Sequence, residues 1–334
     1  MTEAPPEALR RAFYALTPDK ILSAVEAAEP GGRRATGYAL SLHSLENRVY
    51  EVELEDGARV VAKFYRPARW SEAAIRQEHA FLRELVEAEV PAVAPLAARG
   101  ETLFALPVED AAPIRYALFD KVRGRATEEP DDERLAILGR LVARLHAVGA
   151  AGDADQRGRL DPPGYGRRSV AALLDGGHVH EASARRYAEV AGRLLDRVER
   201  AFSTLAPPPQ RIHADCHHGN LLWDGGGPFF LDFDDFTLGP PVQDLWLIAP
   251  GRDDDARRQR EVLVEAYESM RPFDRRTLAL VEPLRALRIL RYAAWIAARY
   301  DDPAFTRAFP DFHDEVFWRR ELAVLEELVG LVGG

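Results

Sequence analysis

Three side chains stand out by type and spacing: Asp215 and Asn220 in Arg211-Ile-His-Ala-Asp-Cys-His-His-Gly-Asn-Leu-Leu-Trp223, and Asp232 in the following Phe229-Phe-Leu-Asp-Phe-Asp-Asp235. All three offer oxygen ligands or a base, and each lies at the edge of a short apolar run: Ile212, Leu221-Leu222-Trp223, or Phe229-Phe230-Leu231. Short apolar runs bounded by Gly, Pro and Asn read as buried strands. The two halves are therefore expected to pair and to turn at Asp224-Gly225-Gly226-Gly227, which brings Asp232 back beside Asn220. The resulting carboxylate–amide–carboxylate cluster suits Mg²⁺. That ion takes hard oxygen ligands, keeps several waters, and is usually held by one or two carboxylates plus substrate phosphates. Phosphoryl transfer needs one further carboxylate, placed to accept the proton of the attacking hydroxyl. Asp215, a short catalytic-loop spacing before Asn220, is the candidate.

These groups need a scaffold. Thr17-Pro18-Asp19 opens a helix, with Thr as N-cap, Pro at the first position and Asp in the first turn, after a start (residues 1–16) that reads as loosely attached. Strands are expected over 37–42, 48–54 and 59–65, the last two joined by a turn at Glu55-Asp56-Gly57. The third strand places Lys63 inside Val60-Val61-Ala62-Lys63-Phe64, where an ammonium needs a partner or a ligand. The next helix starts at Ser71 and ends before Pro91. Glu78 sits on its apolar stripe with Ile75, Leu82 and Leu85. A carboxylate buried there alone would cost several kcal/mol, and pairing with Lys63 removes the anomaly. His79 beside it reads as packing. Further strands over 93–106 and 114–122 complete a five-stranded sheet, and the segment 115–125, ending in Arg-Gly-Arg, reads as a hinge.

Beyond Asp131 the chain turns helical. His146, near the end of the first helix, reads as a core or loop-bracing residue. The Gly/Asp/Arg-rich 150–166 reads as a mobile or substrate-facing loop. A long helix over 182–205 closes at Pro207-Pro208-Pro209. After Gly239-Pro240-Pro241 another helix begins, and Asp244 in its first turn either caps it or braces the catalytic loop. Arg285, Arg288 and Arg291 repeat every three residues on an expected helix over 277–300. A solvated face is the default reading, and a patch for an acidic or phosphorylated partner the alternative.

Composition bounds the class. With 334 residues, 47% of them hydrophobic, the chain can bury a real core and forms about two lobes. Its net charge of −10 argues against broad nucleic-acid binding. No apolar run approaches a membrane span and the start is not a signal peptide. A single Cys argues for a reducing compartment, so a cytoplasmic protein is expected.

The order Asp215, Asn220, Asp232-Phe233-Asp234 parallels the catalytic-loop Asp, metal Asn and D-F-G triplet of protein kinases. With Ser44-Leu-Glu-Asn-Arg-Val-Tyr50, Ala62-Lys-Phe-Tyr-Arg-Pro67, Arg69-Trp-Ser71, His213-Ala-Asp-Cys-His-His-Gly-Asn220, Leu231-Asp-Phe-Asp-Asp235 and Gly239-Pro-Pro-Val-Gln-Asp-Leu-Trp246, the chain resembles kinases of the aminoglycoside phosphotransferase/choline kinase type. Within that group it resembles most the bacterial stress response kinase A (YihE/RdoA-like) family. The resemblance spans nearly the whole chain. It implies an α+β, bilobal kinase-like fold, with a sheet-based N-lobe over 1–122 and a helical C-lobe over 123–334. It implies Asp215 as proton acceptor, Asn220 and Asp232 as Mg²⁺ ligands, Ser44 as an ATP-contacting loop residue, and Lys63 with Glu78 as the pair that orients the phosphates. It further implies a monomer that transfers phosphate from ATP to protein Ser/Thr in stress survival. A small-molecule kinase acting on an aminoglycoside, choline, homoserine or a sugar would use the same site. The sequence departs from the pattern twice. Ser44 to Asn47 lacks the glycines of a kinase phosphate loop, and Ala214 stands where the family usually has Gly, an intrusion only if the backbone there needs φ > 0. Cys216 reads as a buried loop thiol. No activation loop is apparent between Asp232 and Asp244, so no phosphorylation switch is expected at Thr237.

Overall fold

Val, Phe and Tyr at alternate positions, cut by short polar turns, build one sheet early in the chain, and amphipathic helices fill the rest. The computed structural model describes residues 7–126 and 130–332. It divides into two units, Met1–Glu129 with His218–Asp234, and Pro130–His217 with Asp235–Gly334. The N-terminal boundary thus falls a few residues beyond 122. The segment His218–Asp234, expected with the helical part, groups with the first unit. It does so because its backbone pairs there: bridges join Ala92 to Phe230 and Arg125 to Trp223.

In the first unit, helices α1 (Glu7–Tyr14) and α2 (Pro18–Ala28) precede strands β1 (Ala35–Leu42), β2 (Arg48–Leu54) and β3 (Arg59–Phe64). Helix α3 (Glu72–Glu87) follows, then β4 (Phe104–Val108) and β5 (Ala111–Asp120). The sheet is antiparallel in the order β1-β2-β3-β5-β4. Thr17 accepts the Lys20 N–H as N-cap of α2, and Ser71 accepts that of Ala74 for α3. The start of the chain is not loose over its described part. Leu9 and Phe13 of α1 are buried in one core with Val25, Val52, Val60, Phe64 and Tyr116. The strand expected from 93 begins only at Phe104. Before it, Pro91 and Pro95 lack donors and Arg99 and Gly100 turn at positive φ, so isolated bridges replace a ladder. Along β3, Val60, Ala62 and Phe64 enter the core while Lys63 points to the other face.

The second unit starts with α4 (Asp132–Ala150), α5 (Arg168–Asp175) and α6 (Glu181–Leu205), then the short strand β6 (Gln210–Ile212). The hairpin β7 (Leu221–Asp224) and β8 (Gly227–Phe230) belongs to the first unit. Strand β9 (Thr237–Gly239), not foreseen from the sequence, returns to pair with β6. Helices α7 (Val242–Ile248), α8 (Asp254–Glu268), α9 (Val281–Ala297), α10 (Pro303–Ala308) and α11 (Glu315–Leu331) finish the chain. The helix expected from 277 starts at Val281, because residues 275–280 form a 3-10 turn ahead of Pro283 in the first turn of α9. Tyr187, Leu194, Val198, Trp246, Leu287 and Trp318 share one core. Two contacts hold β6 in place. Arg211 donates to the α4 carbonyls of Val148 (2.8 Å) and Gly149 (3.1 Å), and a methyl at Gly149 would run into the Arg211 carbonyl.

The loop 150–166 is tied down. The buried Arg157 donates to the Phe236 carbonyl at 3.1 Å and lies 4.4 Å over the Phe236 ring, and Leu160 N–H bonds Leu238 O at 2.8 Å. Thr237 is buried, and its hydroxyl donates to Gly158 O. Thr237→Ala should therefore cost about 1 kcal/mol in urea unfolding, the worth of one hydrogen bond. Thr237→Glu should destabilise more, by burying an unpaired charge, and should not raise activity. A gain of activity in Thr237→Glu would restore a phosphorylation switch at this position.

Candidate active site

Lys63 lies on the face of β3 that α3 covers, and Glu78 is one of the buried residues of α3. The Nζ donates to Glu78 Oε1 at 3.0 Å and lies 3.1 Å from Asp234 Oδ1 and 3.6 Å from Asp232 Oδ1. Burial opposes the charge on Lys63. Asp234 and then Glu78 outweigh it and hold the ammonium well above its ordinary range. His79 next to Glu78 braces rather than reacts. It bonds the Tyr65 hydroxyl (2.9 Å) and Thr102 Oγ1 (2.8 Å), and burial, with Lys63 nearby, drives its pKa down to about 3.

The glycine-free loop is clamped by two arginines. Arg66 donates to the carbonyls of Glu46 (2.9 Å) and Leu45 (3.0 Å), and its Nε is 3.0 Å from the Glu46 carboxylate. Asn47 accepts the Arg66 N–H at 3.0 Å, and Ser44 Oγ accepts that of Asn47 at 3.3 Å. Arg69 pairs with Glu46 on one side and lies 3.2 Å from Asp234 Oδ2 on the other. Charges therefore alternate without a break from the loop to the helix: Glu46, Arg69, Asp234, Lys63, Glu78. Pinning by arginines gives this loop a fixed shape without glycine.

Asn220 and Asp232 bracket the β7–β8 hairpin. The Leu231 N–H donates to Asn220 O at 2.9 Å, which sets Asp232 next to Asn220 along the paired chain. Asp232 adopts φ +55, and its side chain is half exposed (53%). An amide, a carboxylate and open access fit a divalent ion that takes its remaining ligands from water and phosphate.

Asp215 belongs to the second unit, on the loop that β6 leads into. Asp244 braces that loop: its two oxygens accept the N–H groups of His213 and Ala214, each at 2.8 Å, and His146 Nε2 lies 2.9 Å from its Oδ2. Of the two roles left open for Asp244, bracing is the one observed. Gln243 donates to Ala214 O at 2.9 Å and is itself held by Trp246. Ala214 sits at φ +70, a left-handed backbone that glycine adopts freely and at which alanine carries strain. Asp215 Oδ1 accepts from Arg288 of α9 at 2.7 Å, and His217 Nε2 lies 3.3 Å from Oδ2. Burial pushes the Asp215 carboxyl up, but the His217 hydrogen bond and the Arg288 charge outweigh it and hold it below the ordinary carboxylate range. Cys216 beside it is buried, which pushes its thiol well up and leaves it unreactive.

Four residues that shape the site were not singled out for it from the sequence. Asp234 was visible as the acid at the third place of the Asp232 triplet. Arg66 and Arg69 lie in the runs 62–67 and 69–71, where nothing in the spacing points to Glu46 or Asp234. Arg288 was one of three evenly spaced arginines, and nothing in the spacing tells which of them meets Asp215.

The α+β, kinase-like fold is that of a phosphotransferase. Residues 41–281 match the phosphotransferase enzyme family. Stress response kinase A of Salmonella paratyphi A (strain ATCC 9150 / SARB42) is 38% identical over 319 residues, covering 94% of this chain and 93% of that protein. Serine/threonine protein kinase RdoA of Salmonella typhimurium (strain LT2) is 38% identical with the same coverage. The solved structure of amicoumacin kinase hAmiN in complex with AMP-PNP, Ca²⁺ and Ami superposes with a TM-score of 0.71 at 18% identity, covering 95% of this chain and 97% of that one. The chain belongs to the phosphotransferase enzyme family and, within it, to the stress response kinase A proteins. Among the described residues, no helix is long and apolar enough to cross a membrane.

Two stability measurements follow from this geometry. Replacing Ala214 by Gly relieves left-handed strain of roughly 1–2 kcal/mol and removes a methyl worth about 0.8 kcal/mol. The change should therefore stay within about 1 kcal/mol, whereas Ala214→Val, β-branched at positive φ, should cost more than about 2 kcal/mol. Arg69→Ala leaves Glu46 to Arg66 and Asp234 to Lys63, and should cost about 2 kcal/mol in chemical denaturation, less than an unpaired buried charge. A loss below about 1 kcal/mol, the worth of a surface pair, would show that the clamp does not hold the loop.

Proposed function

We propose that the chain is an ATP- and Mg²⁺-dependent Ser/Thr protein kinase of the bacterial stress response, acting as a monomer in the cytoplasm. The observation that carries the reading is the buried Lys63 ammonium, fixed by Glu78 and set beside Asp232 and Asp234. This is a preformed cation for nucleotide phosphates with oxygen ligands next to it. Lys63, oriented by Glu78, grips the α- and β-phosphates, and the Ser44–Asn47 loop covers them, with Ser44 as a contact. Asn220 and Asp232 hold Mg²⁺, which when bound offsets charge on the phosphates. Asp215 orients the acceptor hydroxyl and takes its proton. The acceptor oxygen–phosphorus bond forms as the bond to the bridging oxygen of ADP breaks. A protein acceptor is supported by the relatives named as stress response and serine/threonine protein kinases.

Against burial, His217 and Arg288 hold the Asp215 carboxyl below its ordinary range, so it stays ionised and able to accept the hydroxyl proton as charge shifts to the phosphoryl group. Asp215→Asn should leave ATP affinity unchanged in calorimetry and lower ³²P transfer by roughly 10²–10⁴-fold, the usual worth of a positioned proton acceptor. Transfer near the wild-type rate would remove Asp215 from this role. Label appearing only on amino alcohols, aminoglycosides or sugars would keep the chemistry and replace the protein acceptor with a small molecule.

A further inference from the structure

The three evenly spaced arginines of α9 have three different surroundings. Arg285 is bound to Glu282 and to the Pro250 carbonyl, over the Trp246 ring. Arg291 is exposed, with its guanidinium 5.3 Å over the Tyr165 ring. Arg288 donates to Asp215 while its side chain stays 41% exposed. One turn further along the same face stands Tyr292, an exposed aromatic (49%) stacked on Trp295 at 5.4 Å and 19°, with Phe309 edge-on at 6.0 Å. Asp215 therefore has a guanidinium against it and an aromatic shelf beyond.

Resting on the kinase reading above, we infer that Arg288 selects the acceptor: the Ser or Thr to be phosphorylated lies in an acidic peptide segment, one carboxylate of which pairs with the Arg288 guanidinium. The hydroxyl must come within hydrogen-bond reach of Asp215, so the groups beside it lie within a few ångströms of Arg288. A guanidinium has five donors and can keep Asp215 while its fork takes a second carboxylate. An ammonium or guanidinium beside the hydroxyl would meet like charge at the same place. That disfavours aminoglycosides, choline and basic peptide segments alike. An acid that acts on the same shelf is Glu321, which interacts electrostatically with Tyr292. Burial raises its carboxyl to about 7, so near neutral pH it carries only part of a charge. The overall charge of −10 acts at longer range and is screened beyond about 10 Å at 0.1 M salt, so contact with Arg288 decides between acceptors. Tyr292 supplies a flat apolar surface for the residue next to the hydroxyl.

The test measures kcat/KM for three Ser peptides of equal length, with acidic, neutral and basic flanks, and for choline and an aminoglycoside. It uses the wild type, Arg288→Gln and Arg288→Glu. The readout is the acidic-to-basic ratio, which cancels any general loss of rate from disturbing Asp215. The wild type should favour the acidic peptide by about tenfold or more, the usual scale of a contact charge pair. Arg288→Gln should bring the ratio near one, and Arg288→Glu should reverse it. A wild-type ratio near or below one, or faster transfer to the cationic small molecules, overturns the inference while leaving the kinase reading intact. A ratio unchanged in Arg288→Glu assigns the preference elsewhere and overturns it too. Should Arg288→Glu not fold, the wild-type and Arg288→Gln ratios decide together, and an unchanged ratio in Arg288→Gln overturns the inference. Wild type that transfers phosphate to no acceptor removes the kinase reading and this inference together.

Discussion

A lysine ammonium buried in the first unit dictates most of what surrounds it. Taking such a charge out of water is expensive, and the cost is offset only where acids come to it with good geometry. Lys63 is 8% exposed and meets three carboxylates, from α3 and from the segment after the hairpin. Each of those in turn needs a place. Glu78 is a carboxylate on an otherwise apolar helix stripe. Asp234 draws in Arg69, and Arg69 draws in Glu46, so the shape of the Ser44–Asn47 loop follows from the same charge. A glycine-rich loop gains shape from backbone freedom. This loop gains it from two arginines, Arg66 bonded to its carbonyls and both paired with its one carboxylate.

The second unit solves a different problem with the same means. Its aspartate must stand at the end of a loop rather than in a regular element, so the backbone is held from below. Asp244 takes two consecutive N–H groups, His146 lies against one of its oxygens, and Gln243 takes the Ala214 carbonyl. Held this firmly, residue 214 accepts a left-handed conformation although it carries a methyl, and Asp232 in the first unit does likewise at φ +55. Strain of this kind persists where the surroundings over-determine the backbone, and such places are commonly functional.

Periodicity and residue chemistry alone determined much of this protein. Alternation over 48–54 and the apolar run within 59–65 marked two strands of the sheet, the second ending one residue early at Phe64. Thr17 and Ser71 marked the helix starts, because an N-cap is a local event that depends only on the neighbouring N–H groups. A lysine in an apolar strand and a glutamate on an apolar stripe pointed to each other because neither is tolerable alone. Where local signals were weak, the reading failed: Pro91 and Pro95 interrupt a run that otherwise looks like strand, and helix α1 owes its order to burial of Leu9 and Phe13 against the sheet, which no local feature announces.

Only tertiary structure decided the partners of charges far apart in sequence. Arg288 is evenly spaced with Arg285 and Arg291, and helical spacing assigns all three the same prospects. Which of them meets Asp215 depends on where α9 packs. Arg69 joins Glu46 to Asp234 through pairings that span the whole first unit, and the strand after the Asp232 triplet exists because β6 offers it an edge. Caps, stripes and turns are settled within a few residues. Long-range ion pairs and strand edges are settled by which elements the core brings together, and that is information the chain carries only once it has folded.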